Sequence, residues 1–134
     1  MTNASGVNED LLMERVYDLI KAYVYRKAET RSRIKWDDFK DKKIVDSATG
    51  KQRLDIPQKY REAREKVCTD AFLRFRACRA REDFVSYFTG TICSVSQYLP
   101  EGEYQAVAES ILDEDRWEEV KALAMLALSG LSRA

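Results

Sequence analysis

The stretch DIPQKYREAREKVCTDAFLRFRACRA, residues 55–80, decides the fold class. Tyr60, Ala63, Val67, Ala71, Phe75 and Cys78 recur in it at spacings of three and four, which puts them on one stripe of an α-helix. Pro57 suits the first helical turn, because its φ is already helical and the N–H it lacks would have had no partner there. The pattern predicts a helix from Pro57 to about Ala80.

The same periodicity extends on both sides. Leu11, Leu12, Val16, Leu19, Ile20, Tyr23 and Val24 predict a first helix over Glu9 to Thr30, behind a flexible polar segment at residues 1–8. Between the two helices, Lys35 to Ile56 loses the period and contains the turn composition Asp-Ser-Ala-Thr-Gly at 46–50. It reads as a long basic connection, with a short hairpin left open and Trp36 and Phe39 as its anchors on the core. Downstream, Phe84, Phe88, Ile92, Val95 and Leu99 give either one helix over 82–98 weakened at Gly90 or two short ones. Pro100 with Glu101 and Glu103 marks another start, carrying Tyr104, Val107, Ala108, Ile111 and Leu112. Asp115 and Glu118 resemble a capping box for a last helix whose inward residues are Trp117, Val120, Leu123, Ala124, Ala127, Leu128 and Leu131. The expected fold is all-α: one compact helical bundle over residues 9–134, of about four to six helices, with one long basic connection.

Composition agrees. In 134 residues, 34% charged, there are only five Gly and two Pro, which argues against a turn-rich β-sandwich. The longest nearly apolar run, Ala122 to Leu131, is about half the ~20 residues that cross a bilayer, and Met1 to Asp10 lacks a signal-peptide pattern. A soluble, cytoplasmic protein is expected. Histidine is absent, which removes the commonest general base, the usual metal ligand and every Ser-His or Cys-His pair. Cys68, Cys78 and Cys93 form no Cys-x-x-Cys pair and read as reduced, packed thiols. No metal, no cofactor and no enzymatic activity are expected.

A formal net charge of zero conceals segregation. Residues 1–20 carry one basic and four acidic side chains, residues 21–81 nineteen and nine, and residues 82–134 three and ten, for net charges of −3, +10 and −7. The middle therefore calls for an acidic partner. Phosphates need cations at many points, because affinity scales with the number neutralised. The candidate nucleic-acid contacts are Arg26, Lys27, Arg31, Arg33, Lys42 and Lys43, and Arg74, Arg76, Arg79 and Arg81 near the end of the second helix. At about 100° per residue, the last four cannot all face one groove, so some must be structural. Tyr23, Tyr60, Phe72, Phe75, Phe84 and Phe88 belong to apolar stripes, which leaves Tyr25 and Tyr98 as candidate stacking platforms. Asp37, Asp38 and Asp41 lie among lysines with no metal-spaced partner and form no catalytic constellation.

FVSYFTGTICSVSQYL at 84–99, with KWDDFKDKK at 35–43, DIPQKYREAREKVCTDAFL at 55–73 and VKALAMLALS at 120–129, resembles the C-terminal region of the large subunit of type I CRISPR effector complexes. The similarity covers roughly residues 11–129. That helical region resembles, and is sometimes made separately as, the small subunit of the Cascade complex. TNASGVNED after Met1 fits a product begun inside a longer reading frame and a stand-alone gene alike. The resemblance implies a non-catalytic helical bundle present in more than one copy, with other effector subunits, guide RNA and target DNA as partners. Its role would be to support the guide and target heteroduplex and the displaced strand by backbone contacts, while base pairing supplies specificity. The competing reading from a different class is a helical protein-interaction adaptor whose basic loop is only solvated.

Overall fold

The structure, a computed structural model, describes residues 2–92, 105, 107–109 and 116–133. Helix α1 spans Thr2–Ser32, β1 Lys43–Val45, β2 Gln52–Leu54, α2 Gln58–Ala77, α3 Arg81–Gly90 and α4 Trp117–Arg133. Residues 105 and 107–109 are helical as well. The all-α expectation holds, with one two-stranded antiparallel sheet, in the long connection, among the described residues.

Leu12, Val16, Leu19, Ile20, Tyr23 and Val24 of α1 pack against Val67, Cys68, Ala71 and Phe75 of α2, Phe84 and Phe88 of α3, and Val120, Ala124, Leu128 and Leu131 of α4. Trp117 and Val107 complete this main core. Phe72 and Leu123, expected inside, are only partly buried, and Leu11 is exposed. A smaller second core of Ala28, Phe39 and Tyr60 lies under the connection, with Ile34, Trp36, Leu54, Ile56 and Ala63 around it.

Several boundaries differ from the sequence reading. Helix α1 begins at Thr2 rather than Glu9. It ends where Arg33 turns to φ +61° and Ser32 Oγ donates to the Ala28 carbonyl at 2.7 Å. Helix α2 stops at Ala77 instead of Ala80, because Cys78 is extended and its carbonyl accepts a 2.6 Å hydrogen bond from Lys121 Nζ on α4. That ammonium serves an orphan carbonyl at a helix C-terminus, where a cation is favoured. Helix α3 ends at Gly90, followed by Thr91, whose N–H bonds the Tyr87 carbonyl. Of the expected continuation, Cys93, Val95, Tyr98, Leu99, Pro100, Glu101, Glu103, Tyr104, Ile111, Leu112 and the Asp115 cap lie outside the described residues.

The open question of a hairpin in the connection is resolved in its favour. Lys43 pairs with Leu54, Ile44 with Arg53 and Val45 with Gln52. The turn closes through Gly50 at φ +72°, a conformation in which an L side chain is strained, with Asp46 Oδ1 accepting from the Ala48 N–H.

Candidate nucleic-acid interface

Tyr23, Lys27 and Arg31 are spaced by four on α1, and Lys66, Asp70 and Arg74 by four on α2, so each set forms one stripe. The two stripes border a common valley. Arg31 Nη1 lies 3.4 Å from Asp70 Oδ2, Lys66 Nζ lies 3.5 Å from Asp70 Oδ1, and Tyr23, Lys27, Thr30, Arg31, Val67 and Asp70 line a cavity of about 230 Å³ between them. Across the valley the hydroxyls of Tyr23 and Tyr87 hydrogen-bond to each other, and Arg74 sits over the Tyr87 ring at 5.4 Å. Burial raises the pKa of both tyrosines, so they stay neutral and the charge of the valley belongs to its rims. Lys27, Arg31 and Lys66 gather around the Asp70 carboxylate, with Arg74 next to them on Tyr87. Exposed ion pairs of this kind are worth only about 0–1 kcal/mol, so Asp70 does not lock Arg31 or Lys66 away from an incoming phosphate.

The connection supplies further cations and is rigidly seated. Trp36 stacks on Tyr25 with centroids 5.4 Å apart, Phe39 meets Trp36 edge-on at 5.2 Å, and Phe39 meets Tyr60 at 4.9 Å. Glu29 Oε2 accepts from the Trp36 N–H at 2.9 Å, and Asp38 Oδ2 from the Lys35 N–H at 3.1 Å. These contacts fix the base of the hairpin, where Lys42 bonds both the Phe39 carbonyl and the Asp55 N–H through its backbone. Lys42, Lys43 and Arg33 are exposed around that base.

The ten expected contacts therefore separate. Lys27, Arg31 and Arg74 share the valley, and Arg33, Lys42 and Lys43 surround the hairpin base. Arg26 is exposed about 100° around α1 from Lys27. Arg76 lies about 200° around α2 from Arg74 and faces away from the valley. Arg79 borders a cavity of about 360 Å³ with Trp117, Glu118 and Lys121, and Arg81 opens α3, half-buried. Tyr25 is no free stacking platform: one face carries Trp36 and Lys21 lies 5.7 Å from its ring. Tyr98 lies outside the described residues.

One basic residue changes character on folding, and another was missed. Arg64 is 2% exposed beside Tyr60 and Cys68 and belongs to the packing of α2. Burial pushes the Cys68 thiol up to about 11, against the opposing charge of Arg64. Lys66 was absent from the expected contacts, although its spacing of four and eight to Asp70 and Arg74 carried the signal. Among the described residues no cluster of three or more acidic, Cys or His side chains could hold a metal ion, and no helix is long and apolar enough to cross a membrane.

The model of one protein family, the type I-B CRISPR Cas8b C-terminal domain, matches residues 1–131. The chain belongs to this family. Membership gives it a role related to the type I-B CRISPR effector complex and agrees with the resemblance carried by residues 35–43, 55–73, 84–99 and 120–129. No curated protein and no solved structure matches the chain.

Proposed function

We propose that this Cas8b C-terminal domain chain acts as a non-catalytic small subunit of an RNA-guided type I CRISPR effector complex. It supports the guide RNA and target DNA heteroduplex and the displaced strand by binding their phosphates, and packs against other subunits, including further copies of itself. Base pairing supplies the sequence specificity.

The observation that carries this reading is the valley, where Lys27 and Arg31 on α1 line a cavity with Asp70 of α2, Lys66 reaches the same carboxylate, and Arg74 lies over the ring of Tyr87, the hydrogen-bond partner of Tyr23. A polyanion gains there what a protein partner would not, because each phosphate releases a condensed counterion when a cation meets it. Alone, a domain that neutralises a few phosphates binds DNA at about 10⁻⁴ to 10⁻⁶ M at physiological salt, and neighbouring subunits raise this by placing it beside the duplex.

The test is a salt titration of duplex binding by wild type, by an Arg31, Arg33, Lys42, Lys43→Ala variant and by an Arg74, Arg76, Arg79, Arg81→Ala variant. The logarithmic salt slope should shrink by about 0.9 for each phosphate that is no longer neutralised, equally on all sequences. Unchanged affinity and slope in both variants would favour the protein-interaction adaptor instead.

A further inference from the structure

Among the described residues that line the valley cavity, Asp70 alone carries a negative charge. Its two carboxylate oxygens are divided between the helices: Oδ2 lies 3.4 Å from Arg31 Nη1 on α1, and Oδ1 lies 3.5 Å from Lys66 Nζ on its own α2. A phosphate bridging the two rims would present the same groups, two anionic oxygens to a guanidinium on one helix and an ammonium on the other. The pairs are loose. Charge-assisted N–H···O bonds usually close to about 2.7–2.9 Å. The side chains of Arg31, Asp70 and Lys66 also stay 47%, 45% and 67% exposed, so solvent ions reach them. Arg74, one turn along α2, is within helical reach of Asp70 but lies over the Tyr87 ring, which leaves the carboxylate to Arg31 and Lys66. The pair is not what holds α1 on α2, since the two helices share the main core.

We infer that Asp70 is a built-in competitor for phosphate, an intramolecular anion that lowers the affinity of the valley for any nucleic acid. The inference rests on the phosphate-binding reading of the valley and adds a restraint to it. An arriving phosphate displaces the carboxylate, because exposed pairs are weak, but it must part both pairs and then lie beside a negative charge that has lost its partners. The penalty falls on every sequence alike. It suits a domain that works inside an RNA-guided complex, because bulk DNA offers a vast excess of non-specific sites on which a valley of uncompensated cations would be held. Where neighbouring subunits fix the duplex beside the domain, the high effective concentration overcomes the same penalty.

The experiment measures binding of a random-sequence DNA duplex by the purified chain as wild type, Asp70→Asn and Glu65→Gln, at low and at physiological salt. Glu65 is exposed on α2 about 140° around from Asp70, so Glu65→Gln makes the same change in net charge away from the valley. Asp70→Asn should bind about three- to thirtyfold tighter than wild type, the combined worth of two exposed pairs. Glu65→Gln should gain less than about twofold. With Arg31→Gln and Lys66→Gln already in place, Asp70→Asn should gain no more than Glu65→Gln does, because no paired cation is left to release. Salt-sensitive binding by wild type, with Asp70→Asn no tighter than Glu65→Gln, would overturn the inference and leave the phosphate reading standing. Weaker binding by Asp70→Asn than by wild type would overturn it too, and would make Asp70 a positioning residue for the two cations. No binding by any of these chains at low salt would remove the phosphate reading itself, and this inference with it.

Discussion

Replacing Phe39 by Ala should detach the hairpin while leaving the helices folded. Phe39 is 2% exposed and holds Trp36 and Tyr60 edge-on at 5.2 and 4.9 Å. Phe→Ala at such a site costs about 3–5 kcal/mol, the two aromatic pairs included. A two-stranded hairpin is marginal without a surface to pack on, so this loss exceeds what seats residues 36–56. The main core contains none of the three residues that form the second core, and the damage should stay local. Hydrogen exchange reads it out. The amides of Lys42, Asp46 and Asp55, bonded at 3.0, 2.9 and 2.8 Å, should lose about tenfold or more protection beyond any loss at Val67 and Leu128. Nucleic-acid binding by the variant should fall only as far as in a Lys42→Gln, Lys43→Gln variant. An equal loss of protection throughout the chain would refute the reasoning, because the two cores would then open as one unit.

Lys121→Met should cost about 1.5–3 kcal/mol, the worth of a hydrogen bond from a charged donor, and thermal unfolding should show it, since it frees the Cys78 carbonyl at the α2 terminus. Burial raises the pKa of Cys68 to about 11 and also raises those of Tyr23, Tyr60 and Tyr87. Groups with raised folded values hold protons the unfolded chain has already released, so stability should be flat below about pH 9 and fall as pH rises beyond it. Chemical unfolding at stepped alkaline pH, with tyrosinate absorbance followed in parallel, checks this: the buried tyrosines should ionise only as the chain unfolds. Arg76→Gln should leave the salt slope of nucleic-acid binding unchanged, because Arg76 points away from the valley.

Periodicity made the helices legible, since an apolar stripe of Leu12, Val16, Leu19 and Val24 has no other economical burial. It misplaced their ends, because the ends depend on partners distant in sequence: Lys121 stops α2 from 43 residues away, and no local pattern announces it. The hairpin was only half legible for a related reason. Gly50 and Asp46 signal a turn, but strands of three residues show too little alternation to read, and what seats them is the aromatic ladder from Tyr25 to Tyr60. For the candidate site, charge density gave the region and geometry gave the grouping. Arg64 and Arg74 look alike in sequence, yet one packs inside and the other rims the valley.

The fold itself accounts for some of these cations, and subtracting them sharpens the test of function. Arg31 lies in the last turn of α1, and Arg74 and Arg76 in the last turn of α2, where a positive charge gains about 0.3–1 kcal/mol from the helix dipole. Lys43 blunts an exposed edge strand against unwanted pairing. Lys27 is a turn too early for the dipole, and Lys42 precedes the strand. Arg33 sits at φ +61°, where an L residue is strained by roughly 1–2 kcal/mol and glycine would relieve it. Among the described residues, the side chains of these three cations make no hydrogen bond or ion pair. Lys27→Gln, Arg33→Gln and Lys42→Gln together should therefore change stability by no more than about 1.5 kcal/mol, the sum of three ordinary surface substitutions. They should nonetheless shrink the salt slope of duplex binding by about one to three. Thermal melting and a salt titration on the same preparation give both quantities, and a slope equal to wild type with the fold intact would refute phosphate binding through this end of α1.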